Sequence, residues 1–202
     1  MSEIKFEESS LSNLLVHPSR VPAGGSFAIF DPALSDEKTS DFSSLGFFKV
    51  APDPNVKVAA GATPPLCLWV LQVCLERWDE LEMPYQIAKY LHQHQPTTLY
   101  AEKAGFWKTF QAAVQVEVKK NNDSSRLHFF RASNCKGAKV ERISEFHRMI
   151  EADRVRFVAG DYINALFEQA ESFTTLKPWK KDDGLDVCGM AAFHFQGSLL
   201  TT

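Results

Sequence analysis

The 202-residue chain is 45% apolar, 23% charged and 12% aromatic, which supplies one sizeable core and excludes wholesale disorder. No apolar run approaches the ~20 residues that cross a bilayer, and the start Met1-Ser2-Glu3-Ile4-Lys5 lacks a signal-peptide core, so a soluble, unexported protein is expected. The net charge of -3 opposes holding nucleic acid by electrostatics alone, but 7 basic and 12 acidic residues from Met1 to Ala101 give way to 15 and 13 from Glu102 to Thr202, a balance that suits a domain delivered to DNA by something else.

Residues 1–25 read as an extended lead-in or linker, because Pro18, Pro22 and Gly24-Gly25 oppose regular structure. Phe27 to Phe30 is a short apolar strand that stops at Asp31-Pro32, and Leu45 to Val50 is a second. The stretch from Pro52 to Pro65 is a loop or hairpin tip, and Leu66 to Trp78 is a third strand. Three strands in succession predict an antiparallel meander. Pro84 suits the first turn of a helix that Ile87, Ala88 and Leu91 carry towards His94. A short strand, Thr97 to Ala101, closes at Glu102. The spacing of Phe106, Phe110, Ala113, Val114 and Val118 predicts a helix over 104–120. Leu127 to Phe130 reads as a strand, Lys139 to Ile150 as a helix and Val155 to Val158 as a strand, with helices over 163–173 and 183–195. Strands followed by alternating helices and strands give an α/β fold, a mixed sheet flanked by helices.

Cys67, Cys74, Cys135 and Cys188 form no Cys-x-x-Cys pair and read as buried thiols. His92 and His94, two apart on a helix, do not face each other and are poor partners for one ion. Acidic residues are better placed. Asp31 and Glu102 each end a strand, where open α/β sheets carry their sites, and Asp182, Asp183 and Asp186 open the last helix. Carboxylates from three distant segments suit hard divalent cations, which prefer oxygen ligands. Each also has a structural reading: an Asx turn for Asp31, a helix cap or dipole partner for the aspartates of the last helix, surface exposure for Glu102.

Three segments resemble the C-terminal nuclease domain of the large terminase subunit of tailed phages: Phe27-Ala28-Ile29-Phe30-Asp31-Pro32-Ala33 with Asp41 downstream, Leu99 to Gly105 around Glu102, and Lys180-Lys181-Asp182-Asp183-Gly184-Leu185-Asp186. Lys139-Val140-Glu141-Arg142-Ile143 is similar to the family's Lys-x-x-Arg helix start. The resemblance spans roughly Ser26 to Phe195 and implies an RNase H-like nuclease domain over 26–202, its sheet an antiparallel meander followed by parallel strands. It implies catalysis by two Mg²⁺ or Mn²⁺ ions held by Asp31, Glu102 and Asp183, with Asp182 and Asp186 beside them. Asp41 would be a secondary acidic position, and Lys139 would approach the scissile phosphate or stand solvated at its helix start. The implied substrate is concatemeric double-stranded viral DNA in the host cytoplasm during infection. The implied partners are a terminase ATPase domain, the small terminase subunit and the portal. No Gly-x-x-x-x-Gly-Lys-Ser/Thr phosphate loop occurs, so ATP-driven translocation is not expected; either this is an excised domain, as the linker-like lead-in favours, or the ATPase half lies elsewhere. The same carboxylates would serve a junction resolvase or an RNA-hybrid nuclease, and a non-catalytic docking module of the packaging motor is a further reading.

Overall fold

The computed structural model describes residues 4–32, 43–56, 59, 61–79, 81–101, 107–120, 128–131, 138–173 and 182–200. In chain order the elements are α1 (Glu8–Asn13), β1 (Leu15–Val16), a 3-10 turn (Pro18–Arg20), β2 (Phe27–Asp31), β3 (Ser43–Pro52), β4 (Leu66–Glu76), α2 (Met83–His94), β5 (Thr98–Ala101), α3 (Trp107–Lys120), β6 (His128–Arg131), α4 (Lys139–Glu151), β7 (Val155–Val158), α5 (Ile163–Ser172) and α6 (Asp183–Leu200).

The strands form one seven-stranded sheet in the order β1-β7-β4-β3-β2-β5-β6. β2, β3 and β4 are the expected antiparallel meander, and β5, β6, β7 and β1 add in parallel on its two sides. Parallel strands need crossovers; here α2 connects β4 to β5, α3 connects β5 to β6 and α4 connects β6 to β7.

Helices cover both faces. On one, Ile29, Phe48, Leu68, Val70 and Val73 pack beneath α4, α5 and α6, whose Ile143, Phe146, Leu166, Leu185, Val187 and Ala191 complete that core. On the other, Ala28, Phe30, Leu45, Phe47 and Leu99 meet Ile87 and Leu91 of α2 and Phe110 and Val114 of α3. Within β2 the alternation of Ala28 and Phe30 against Ile29 is the period-two pleat that separates the two layers. No helix among the described residues is long and apolar enough to cross a membrane.

The lead-in departs from its extended reading. It contains α1 and the edge strand β1, and Phe6, Leu11 and Leu14 are buried. α1 has only six residues and no side-chain cap, so propensity alone does not announce it. β1 has two residues, which pair with Phe157 and Val158 of β7. Cys67, Cys74 and Cys188 are buried free thiols as expected, and burial pushes Cys74 up to about 12; Cys135 lies outside the described residues.

Candidate active site

β2 ends where Pro32 removes the next N–H from the ladder. Its last residue, the half-buried Asp31, shares a pleat face with Phe27 and Ile29 and so points to the α6 side. Asp31 is paired across the sheet with Ser44 of β3, and Ser44 with Leu75 of β4, so the three make one row under the helices.

The course of α6 is fixed at three points. His194 packs on Phe27, at the start of β2, with ring centroids 6.1 Å apart, and on Tyr100 of β5 at 4.0 Å. Val187 lies over Gly46, the partner of Ile29, so closely that a Cβ at Gly46 would stand 3.3 Å from its Cγ2. A Cβ at Gly184 would stand 3.2 Å from Cδ2 of Leu75, in the Asp31 row. α6 therefore runs antiparallel to β2, and its first turn, with Asp182 and Asp183, lies at the Asp31 end.

Asp182, Asp183 and Asp186 are only 3%, 4% and 2% exposed, and carboxylates so buried need countercharge. α4 supplies it. Lys139 Nζ lies 2.5 Å from Asp182 Oδ1 and 2.9 Å from Asp183 Oδ1. Arg142 takes both oxygens of Asp186, Nε to Oδ1 at 2.6 Å and Nη2 to Oδ2 at 2.5 Å. Successive pairs three residues apart on each helix mean that α4 and α6 run side by side in the same direction. They touch through backbone, since a Cβ at Gly189 would stand 2.7 Å from the carbonyl carbon of Arg142.

Burial opposes the charge on Lys139, but its hydrogen bonds to Asp182 and Asp183 outweigh that and hold it well above the ordinary lysine value. Burial pushes the Asp182 carboxyl above the usual range, with Lys139 pulling the other way. The N–H of Gly184 donates to Oε1 of Gln169 on α5 at 3.0 Å, and the N-terminus of α4 is tied by Glu141, whose Oε2 accepts from the N–H of Ala138 at 3.0 Å.

Asp31 and Asp183, from opposite ends of the sequence, thus come to one end of the sheet. Asp186, expected beside Asp183, gives both of its carboxylate oxygens to Arg142. Lys139, expected near a phosphate or in solvent, stands between Asp182 and Asp183. Glu102 and Asp41 lie outside the described residues; β5 leads to Glu102, and its last residue, Ala101, pairs with Phe30. Among the described residues no three acidic, histidine or cysteine side chains are gathered closely enough to hold an ion. In kind, the donors suit a hard divalent cation: they are carboxylate oxygens, set where the protein already places the positive charge of Lys139. His94 stacks on Phe47 at 4.2 Å while His92 is exposed, so the two histidines face apart as expected.

A family profile for the terminase RNase H-like domain matches residues 74–195. The chain belongs to that family. Its mixed sheet has the corresponding RNase H-like fold. The nuclease domain of the P22 large terminase superposes with a TM-score of 0.60 at 9% identity, covering 92% of this chain and 89% of that one. The nuclease domain of the large terminase subunit of bacterial virus Sf6 gives 0.52 at 9% identity, covering 92% and 96%. Among curated proteins, none matches the sequence significantly.

Three residues of the candidate site are not singled out by the sequence. Arg142 was visible only as part of Lys-x-x-Arg; the matching spacing of Lys139/Arg142 and Asp183/Asp186 is the signal that the two helices pair. Gln169 carries none. Ser44 lies just outside the strand expected over 45–50, and its hydroxyl is buried with no hydrogen-bond partner among the described residues.

Proposed function

We propose that this chain is a divalent-cation-dependent endonuclease that cuts concatemeric double-stranded viral DNA during genome packaging, in the host cytoplasm. Asp31, Glu102 and Asp183 serve as direct ligands, and Asp182 is a further oxygen donor beside them. The observation that carries this reading is the row Asp31–Ser44–Leu75 lying under Gly184, which joins the end of β2 to the acidic first turn of α6. Two Mg²⁺ or Mn²⁺ ions, when bound, would neutralise charge on the phosphate and provide a nucleophile at neutral pH. The chain's own part is to orient the carboxylates and to present a fixed cation. Lys139, protonated across the working pH range, is placed to lend its charge to a phosphate brought to the Asp182–Asp183 edge.

The net charge of -3 gives the domain little hold on duplex by itself. Delivery therefore falls to the ATPase domain, the small terminase subunit and the portal, and Asp41 takes a secondary, water-mediated place. The test is cleavage of linear duplex, four-way junction and RNA–DNA hybrid by purified protein in Mn²⁺, in Mg²⁺ and in EDTA. Cation-dependent cutting of linear duplex is expected. Cutting that persists in EDTA overturns the cation requirement, and a strong preference for junctions or hybrids overturns the substrate.

A further inference from the structure

On the α6 side, β3 presents Ser44, Gly46 and Phe48. Gly46 is small because Phe48 and Val187 occupy the space above it, with a Cβ there only 2.4 Å from the Phe48 ring. Ser44 is 0% exposed, and its Oγ has no hydrogen-bond partner among the described residues. Buried hydroxyls are nearly always satisfied, and one that is not weakens the fold where alanine would not. Among the described residues no bond uses this hydroxyl, and its cross-strand partner is a carboxylate.

Ser44 is the direct antiparallel partner of Asp31, and such partners share a face with Cβ atoms ~4.5–5.5 Å apart. At that separation a serine hydroxyl and an aspartate carboxylate are within reach of a hydrogen bond. Carboxylates that ligate a cation are commonly fixed by a hydrogen bond to an oxygen.

We propose that Ser44 is a positioning residue of the nuclease site, its hydroxyl donating to the Asp31 carboxylate when Asp31 turns to a divalent cation. The inference rests on the reading of Asp31 as a ligand. Ser44 touches neither DNA nor cation; it fixes which way the Asp31 oxygens face.

The test is Mn²⁺ binding to the full chain by calorimetry without DNA, together with the Mn²⁺ dependence of duplex cleavage, for wild type, Ser44→Ala and Ser44→Thr. Ser44→Ala should melt, metal-free, at or above the wild-type temperature, because it deletes an unsatisfied hydroxyl. Its Mn²⁺ affinity should fall about 10-fold or more. The Mn²⁺ concentration for half-maximal cleavage should rise by the same factor, with the rate at saturating Mn²⁺ affected much less. Ser44→Thr, where it folds, should restore affinity by restoring the hydroxyl; a folded threonine variant as weak as alanine overturns the proposal. So does a Ser44→Ala protein that binds Mn²⁺ and cleaves like wild type, an outcome that leaves the nuclease reading intact. If wild type itself neither binds Mn²⁺ nor cleaves, the nuclease reading falls and the role of Ser44 with it.

Discussion

Arg142 on α4 holds Asp186 on α6 through both carboxylate oxygens, at 2.6 and 2.5 Å, in a setting where Asp186 is 2% exposed. Removing one partner of such a pair strands the other charge. Arg142→Met should therefore lose about 3–5 kcal/mol of stability in urea unfolding. Adding Asp186→Leu should recover most of it, since a well-packed apolar pair replaces a buried ion pair at little cost. With Asp186 structural, the double variant should keep most of its cleavage. Loss of cleavage with stability restored would return Asp186 to the ligand set.

Asp183 should behave in the opposite way. Asp183→Asn removes a carboxylate that neighbours Asp182 and leaves Lys139 its contact with Asp182. Relief of like-charge repulsion offsets the lost ion pair, so the melting temperature should be unchanged or raised. Cleavage should fall by orders of magnitude, measured on the same protein. Activity within a few-fold of wild type would remove Asp183 from the site.

Two half-buried histidines predict an acid limb to stability. Burial holds His94 and His194 below the ordinary 6.5. The unfolded chain thus takes up these protons before the folded one, and stability is lost as pH falls from about 6.5 through the lowered values. His94→Phe keeps a ring on Phe47 and deletes one of the two groups. Its unfolding free energy should decline less between pH 7 and 5 than that of wild type, and equal slopes would show that His94 is not protonated on unfolding.

Gly189 is a backbone contact. A methyl there meets the carbonyl carbon and oxygen of Arg142 at 2.7 and 2.9 Å, and backbone yields only by moving a helix. Gly189→Ala should cost about 1–3 kcal/mol. By shifting α4 along α6 it should also weaken cleavage, whereas unchanged melting and activity would show that the helices part freely.

Much of this was legible in the sequence. The meander followed from three apolar strands in succession, and the placing of Asp31 and Asp183 from a strand stopped by Pro32 and a helix opened by acids. What stayed hidden depends on contacts between distant segments. β1 is two residues long and exists through β7; α1 is a single uncapped stretch anchored by Leu11. The assignment of Asp186 to Arg142 needs the parallel pairing of α4 with α6, which one helix alone does not reveal. Ser44 reads as loop until its partners in β2 and β4 are known.

The register of β4 against β3 slips between Phe47 and Phe48, which pair with Gln72 and Val70 and leave Leu71 as the extra residue. Leu68 and Val70 face the α6 layer before the slip, Val73 and Leu75 after it, and Cys74 turns to the layer of α2 and α3. The bulge is a phase shifter. Without it, strict alternation onward from Val70 would turn Leu75 away and put Gln72 and Cys74 on the α6 side, Cys74 opposite Ser44 in the Asp31 row. The bulge therefore decides whether the floor of the site is apolar or polar, and its loss would alter that floor without touching a single proposed ligand.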